Sequence, residues 1–552
     1  LPPSISELKS TLRLAGSTMA QLKGSYAGLI DYPYGCTEQT MSRLVPSIVA
    51  FKLHQRFKFN LAPDNLTKFE EVKEKALKKL KEHQHYDGGW GWWADDASDP
   101  YLTAHVLEGF KLLSESGVQI EPSMIQNGLK WLSTATVNLH KALSDPKLVE
   151  GYTARERRCD LARMVYTQTL YGIKPDAKVM KWLDGRVGNL TPEPLSYLTM
   201  ANARLGNKSY ADHAYKRLIE LATVGDQFID WEHNQAMLKR LKLLDVHDYT
   251  YRYPGAETTA LALKAMVEME PGNLERIEKV KAWIMLQRSE EGWSNTKTTP
   301  QVLLSLMNEA IKTGNTETSD VVAKILKDDS LLNSLAFAPA SIYRQEETLN
   351  MTGNKNLSLA MDGNGRLYYQ SINRFYKSLK PGEKLKVANS PNGLQVRREF
   401  FRLKTSATKA GGILKLTTLP LNGDSIKAGE ILLMKVYVES PVSLPYVIVE
   451  CPLPSGAEVV KDSARDANVS DSENESGSGI EGDWGSPWWS HQDILDDKMV
   501  FFGTQINQGK SEFHTLLRME LPGDVQLNPV TLDGMYSNMI HGYSQPRELH
   551  IK

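Results

Sequence analysis

The segment Pro33-Tyr34-Gly35-Cys36-Thr37-Glu38-Gln39 holds the most reactive pairing in this 552-residue chain. Met41, Leu44, Ile48 and Phe51 come after it at helical spacing, which predicts a helix opening here. Side chains three apart on one helical turn share a face, so the Cys36 sulfur can reach the Gln39 side-chain carbonyl. Attack of the thiolate on that amide, with loss of ammonia, gives an internal thioester. The product is an activated acyl group, because a thiolate leaves far more readily than an amine. It survives where water is excluded, and Tyr26, Tyr32 and Tyr34 are candidate walls of a dry site. The plain alternative is a small buried cysteine beside a solvated glutamine.

Other chemistry-bearing residues offer less. Cys36, Cys159 and Cys451 are too few and too scattered for a disulfide framework or a zinc site. His83 and His85 lie two apart, a spacing that points them away from each other on a helix and argues against a shared metal. Asp95, Asp96 and Asp99 could in principle hold a diphosphate through Mg²⁺, although an acidic loop capping the next helix explains them as well. No cofactor is implied. With 65 Lys+Arg against 66 Asp+Glu, the net charge of −1 argues against a nucleic-acid partner. No apolar run is long enough to cross a bilayer, and Leu1-Pro2-Pro3-Ser4 carries no targeting pattern. The missing initiator Met suggests a mature product or a piece of something longer.

The elements that must position this chemistry fall into two kinds. From about residue 15 to 340 apolar residues recur at helical spacing, as in Leu102, Val106, Leu107, Phe110 and Leu113, and short Gly, Pro, Asn and Asp loops cut the region into helices. Two junctions resemble each other: Tyr86 to Trp93, rich in Gly and Trp, and Gln287 to Trp293, which ends in Gly292-Trp293. A repeated helix, Gly-Trp turn, helix unit predicts an α/α ring of hairpins, unless the two turns are coincidental. After Ser341 alternating runs such as Leu394 to Phe401 and Ile431 to Glu439, separated by Lys380-Pro381-Gly382 and similar turns, predict antiparallel β-sandwich structure. Residues 463 to 483, acidic and rich in Ser and Gly, read as a long loop, with Trp484, Trp488 and Trp489 marking the return to packed chain.

Pro33 to Gln39 resembles the Pro-Tyr-Gly-Cys-x-Glu-Gln thioester motif of the α2-macroglobulin and complement superfamily. Asp87-Gly88-Gly89-Trp90, Leu102-Thr103-Ala104, Glu257-Thr258-Thr259-Ala260 and Gly292-Trp293-Ser294 with Thr296 fit the order of that family's helical thioester domain, an α/α toroid. Val449 to Gly456, Leu495 to Phe502 and Gly534-Met535-Tyr536 are similar to the last macroglobulin-like domain of the bacterial branch. Leu495-Asp496-Asp497-Lys498 stands where Arg-Asp-Asp-Arg is usual. The resemblance implies a multidomain α plus β chain: residues 1–14 as a strand of a CUB-like module, 15–342 as the thioester toroid, 343–392 as the rest of that module, and 393–552 as a C-terminal macroglobulin-like sandwich.

It further implies the C-terminal part of a protease inhibitor, not an enzyme, in which a Cys36–Gln39 thioester, flanked by Tyr32, Pro33, Tyr34, Gly35 and Glu38 and shielded with Tyr26, acylates lysine amines of an attacking protease once. Its partners would be target proteases and its own upstream macroglobulin-like domains and bait region, with a monomer expected in the periplasm or cell envelope and any lipid anchor in an N-terminal part outside this chain. The β domain is expected to help cover the bond, with Tyr32 and Tyr34 facing it. Hydroxyl-preferring relatives use a histidine of the toroid. Between Val106 and Asp212 this chain has only His140, in an unmatched context, so direct attack by amines and a solvated His140 are expected. Two other classes remain open on the residues alone: a toroidal helical enzyme of the terpene cyclase or prenyltransferase kind, and a hydrolase with Cys36 as nucleophile.

Overall fold

The computed structural model describes residues 7–21, 35–57, 63–145, 147, 152–232, 255–289, 292–293, 295–314, 320–338, 346–352, 356–376, 393–407, 414–421, 425–460 and 491–552. It divides into two compact units, residues 1–378 and 379–552.

The first unit opens with strand β1 (Glu7–Ala15) and a one-turn helix α1 (Thr18–Gln21). Then come α2 (Thr37–Phe57), α3 (Pro63–Glu82), α4 (Pro100–Glu115), α5 (Pro122–Leu143), α6 (Tyr152–Leu170), α7 (Ala177–Asp184), α8 (Pro192–Arg204), α9 (Lys208–Leu221), α10 (Gly255–Met269), α11 (Leu274–Leu286) and α12 (Thr298–Thr313). Local signals set their starts. Asp99 caps α4 by accepting the Leu102 N–H at 2.9 Å, with Pro100 opening the first turn, and Asp176 and Asn273 cap α7 and α11.

The even-numbered helices from α2 to α12 pack each against the next, and α12 returns to α2, which closes a ring of six. Shorter or more amphipathic helices, α3, α5, α9 and α11, back onto it. Inner helices are buried nearly all round, as α10 is from Ala256 to Val267. Gly109 on α4 lets α2 close in: a Cβ there would meet Met41 Cε at 1.9 Å.

Two short strands, β2 (Thr223–Val224) and β3 (Ile229–Asp230), form a small ribbon inside the helical region. The ring ends at Thr313, so the expected helical span of 15–342 overruns it. Asp320–Lys327 (β4) and Ser330–Phe337 (β5) are antiparallel strands. In β4, Val321, Ala323 and Ile325 are the buried positions, a two-residue period over a segment short enough to be absorbed into the helical pattern before it. With β6 (Glu346–Asn350), β7 (Leu357–Asn364) and β8 (Tyr368–Tyr376) they build two three-stranded sheets, β6-β1-β8 and β5-β4-β7, around Leu14, Val321, Ala323, Ile325, Phe337 and Met351. Strand β1 pairs Ala15 with Glu346 and Glu7 with Tyr376. The helical ring is thus an insertion within a β module whose strands come from both sides of it.

The second unit is antiparallel β. One sheet runs β10 (Leu414–Pro420), β9 (Gln395–Ala407), β11 (Ile431–Ser440), β16 (Gly509–Met519), β13 (Ala457–Val459). The other runs β14 (His491–Ile494), β15 (Lys498–Ile506), β12 (Leu444–Pro452), β18 (Thr531–Gly534), β19 (Ser537–Tyr543), with β17 (Gly523–Leu527) and β20 (Arg547–Ile551) as a separate ribbon. Phe400, Met434, Cys451, Phe501 and Phe513 fill its core, with the rings of Phe501 and Phe513 3.8 Å apart. The expected acidic loop and Trp484, Trp488 and Trp489 lie outside the described residues.

Candidate functional site

Cys36 is the N-cap of α2. Its carbonyl accepts the first helical hydrogen bond, from Thr40 N at 2.9 Å, and its sulfur accepts the Gln39 N–H at 3.4 Å. The Gln39 side chain folds back, so that its Oε1 accepts the Cys36 N–H at 3.2 Å. This reciprocal pair is a capping box with cysteine in the serine position. The box has a chemical consequence: it holds a nucleophilic sulfur beside an amide whose oxygen is already gripped by a backbone N–H. Gln39 Nε2, the atom that thioester formation would expel, is buried with no hydrogen-bond partner among the described residues. Both side chains are 1% exposed. Burial, and next the Glu38 carboxylate, push the Cys36 thiol far above its ordinary range, so the pocket disfavours a thiolate and favours a neutral, acylated sulfur.

The neighbours of the pair come from distant parts of the ring. Thr37 donates its backbone N–H to Trp92 O at 2.9 Å, and its hydroxyl meets His83 Nδ1 at 3.0 Å. Glu38 is fully buried, accepts from Ser42 at 2.6 Å, and lies 3.4 Å from the Thr296 hydroxyl, which ties the start of α2 to the segment before α12. The turn carrying Trp92 is therefore part of the site's support.

Among the described residues that turn is one of three built alike. Trp90, Trp231 and Trp293 are buried, and each indole N–H donates to a carbonyl of the preceding outer helix: Leu80, Leu218 and Ile284, at 2.7, 2.8 and 2.7 Å. Each tryptophan backbone N–H donates to a threonine hydroxyl on the next inner helix: Thr103, Thr259 and Thr299, at 2.9, 3.1 and 2.9 Å. The Trp231 turn escapes the sequence pattern because Asp230, not glycine, precedes the tryptophan. Thr259 within Glu257 to Ala260 is the signal that could have found it.

The middle of the ring is polar. Arg163 (α6) grips Glu108 (α4) through two nitrogens at 2.9 Å, reaches His105 Nδ1 at 3.1 Å, and lies over the Tyr101 ring at 4.6 Å. Lys297 pairs with Glu257 (α10) at 3.1 Å, and Thr258 donates to Glu193 (α8) at 2.5 Å. Burial works against the Glu108 charge, yet Arg163 holds that carboxyl below its usual range. Burial and the Arg163 charge push His105 down to about 3.

Of the residues singled out from sequence, Gly35, Cys36, Glu38 and Gln39 are brought together. Tyr26, Tyr32, Pro33 and Tyr34 lie outside the described residues. His85 is occupied by Ser98 and Trp93 O, both at 2.9 Å, and no group of three or more metal-ligating side chains occurs among the described residues. Asp96 accepts the Trp92 N–H and Asp99 caps α4, which assigns both to local structure and not to a diphosphate. His140 lies half-buried at the surface of α5 and packs edge-on against Trp182, with ring centroids 5.6 Å apart.

Comparison with known proteins gives two family matches: the A-macroglobulin TED domain over residues 8–138, and the bacterial alpha-2-macroglobulin MG10 domain over residues 393–538. The alpha-2-macroglobulin of Thermotoga maritima is 25% identical over 398 residues, which are 72% of this chain and 20% of that protein. That of Rickettsia conorii is 29% identical over 101 residues, 18% of this chain and 5% of that protein. The chain therefore spans about a fifth or less of these relatives. Native Escherichia coli alpha-2-macroglobulin, solved from domain MG7 to the C-terminus, superposes with a TM-score of 0.71 at 18% identity, covering 100% of this chain and 78% of that one. Salmonella alpha-2-macroglobulin reacted with methylamine gives 0.66 at 18% identity, covering 100% and 32%.

Proposed function

We infer that this chain, which belongs to the bacterial α2-macroglobulin family as its C-terminal portion, carries a Cys36–Gln39 thioester and serves protease inhibition by acylating an attacking protease once. The observation that carries the reading is the capping box itself. The Cys36 sulfur attacks Gln39 Cδ, and the negative charge developing on Oε1 is met by the Cys36 N–H. The C–N bond breaks, and the thiol proton leaves with Nε2 as ammonia. In the second step an amine nitrogen bonds to Cδ, the C–S bond breaks, and the amine's proton ends on Cys36. The result is a stable amide to the target, so the site works once. Burial of the pair protects the acyl group, and exposure releases it.

The nucleophile's environment favours this over a turning-over hydrolase. The Cys36 sulfur is held by the Gln39 N–H, and the neighbouring His83 Nδ1 meets the Thr37 hydroxyl. Lysine amines of a protease are the proposed acceptors, with the bait region and further macroglobulin-like domains of a longer protein presenting the target. An envelope or periplasmic location is part of the proposal, since external proteases are met there, and cell fractionation tests it. The functional test is incubation with trypsin followed by denaturing electrophoresis. A covalent complex that is absent in Cys36→Ser and after methylamine treatment supports the reading; equal complex in Cys36→Ser overturns it. Serine keeps the cap, so the variant isolates chemistry from folding.

A further inference from the structure

The sequence offers no reason for Gly35 to be glycine, but the structure does. The position a Cβ on Gly35 would occupy lies 2.1 Å from Lys79 Nζ and 3.2 Å from its Cε. Lys79, in the last turn of α3, therefore rests its ammonium against the residue preceding Cys36, in space that any side chain at 35 would fill. Among the described residues Lys79 makes no ion pair or hydrogen bond through its side chain, in contrast to Lys81 two residues on, which pairs with Glu121 at 2.6 Å. The carboxylate nearest the reacting pair, Glu38, is occupied by Ser42 and the Thr296 hydroxyl.

We propose that Lys79 is a positioning residue for the thioester, its ammonium stabilising the Cys36 sulfur whenever that atom carries negative charge. This rests on the thioester reading above. The groups facing Cys36 are the Glu38 carboxylate, the Lys79 ammonium, the N–H groups at the start of α2, and His83 through Thr37. Burial and then Glu38 oppose the thiolate; the backbone N–H groups of Gln39 and Glu38 at the helix start, and after them Lys79, favour it. The balance matters in two steps. When the thioester forms, the sulfur attacks as a thiolate. When an amine opens it, the C–S bond breaks with its electron pair on sulfur, and the proton shed by the amine reaches that sulfur afterwards. A cation beside the sulfur lowers the barrier to both without being consumed.

The test compares Lys79→Met, Lys79→Arg and Lys81→Met with the unsubstituted chain. Two quantities are read: the rate of Cys36 thiol release by methylamine, and the pH profile of Cys36 alkylation once the thioester has been opened. Lys79→Met should slow release about tenfold and move the alkylation profile up by about one pH unit. Lys79→Arg should restore both, Lys81→Met should change neither, and added salt should narrow the gap between Lys79→Met and the parent. A purely structural lysine would not shift the alkylation profile. If the parent is lighter by one ammonia but Lys79→Met matches it in both readouts, the Lys79 inference fails alone. If the parent shows no such mass loss, the thioester reading fails and takes this inference with it. Should Lys79→Met not fold, Lys79→Gln carries the same comparison.

Discussion

Replacing Thr103 by Val tests whether the Gly-Trp turns position the reactive pair. The hydroxyl of Thr103 is fully buried, accepts the Trp90 N–H at 2.9 Å, and lies 3.3 Å from Trp90 O. Valine has nearly the same shape, so no cavity opens. Trp90 O keeps the Asp99 N–H at 2.8 Å, so its loss is small. The Trp90 N–H is left without a partner in a dry interior, which costs about 1–3 kcal/mol. In a ring of this size that lowers the melting temperature by roughly 2–4 °C per kcal/mol. Thr259→Val strips the same bond from Trp231 at 3.1 Å and should cost about as much. The two variants part company at the reactive pair. The Trp90 turn continues to Trp92, whose carbonyl holds the Thr37 N–H next to Cys36. A loss of about 2 kcal/mol there raises local opening by up to about thirtyfold, and spontaneous hydrolysis of the thioester should rise with it. The assay pairs calorimetry with the rate of free thiol appearance at neutral pH. Thr103→Val should melt early and leak thiol, Thr259→Val should melt early with thiol release unchanged, and Thr103→Ser should resemble the parent. Equal leakage in the two valine variants, or a Thr103→Val within about 0.5 kcal/mol of the parent, would rule out this coupling between turn and thioester.

The polar centre of the ring gives two further expected outcomes. Arg163→Met leaves the largely buried Glu108 carboxylate with the Thr167 hydroxyl but without its guanidinium partner and should destabilise the first unit by about 3–5 kcal/mol, measured by denaturant unfolding, whereas pairing it with Glu108→Gln should recover part of the loss. His105 binds a proton near its ordinary value when unfolded but only at about 3 when folded, with Arg163, Glu108 and Lys297 around it. Its contribution to stability is therefore complete above the unfolded value and falls as pH drops through that range, by at most about 1.4 kcal/mol per pH unit. Acid unfolding of His105→Asn should show a shallower slope between about pH 6.5 and 4.5, a window above the carboxylates.

The chemistry of the pair is legible in the chain because Cys36 and Gln39 are neighbours on one turn, and a capping box is a local object. The ring is legible through Trp90 and Trp293, where glycine marks the turn, and incompletely at Trp231, where it does not. Strands β4 and β5 pass for helix in the sequence because Val321, Ala323 and Ile325 alternate over too few residues to stand out from the helices before them. The polar centre cannot be read at all: Glu108, Arg163, Glu193 and Glu257 sit on four different helices, and each alone looks like an ordinary charged position. Lys79 is hidden for the same reason, one lysine among Lys73, Lys75, Lys78 and Lys81 on α3 until the chain folds it against Gly35.

Whether Cys36 and Gln39 are joined is decided by mass spectrometry of freshly purified native chain, intact and as peptides. A thioester makes the chain lighter by one ammonia than its sequence, with the deficit confined to the peptide holding Cys36 and Gln39. Methylamine should then add to that peptide at Gln39 while a thiol appears at Cys36. Full sequence mass, with Cys36 a free thiol and Gln39 an unmodified amide before and after methylamine, would contradict the presence of the bond.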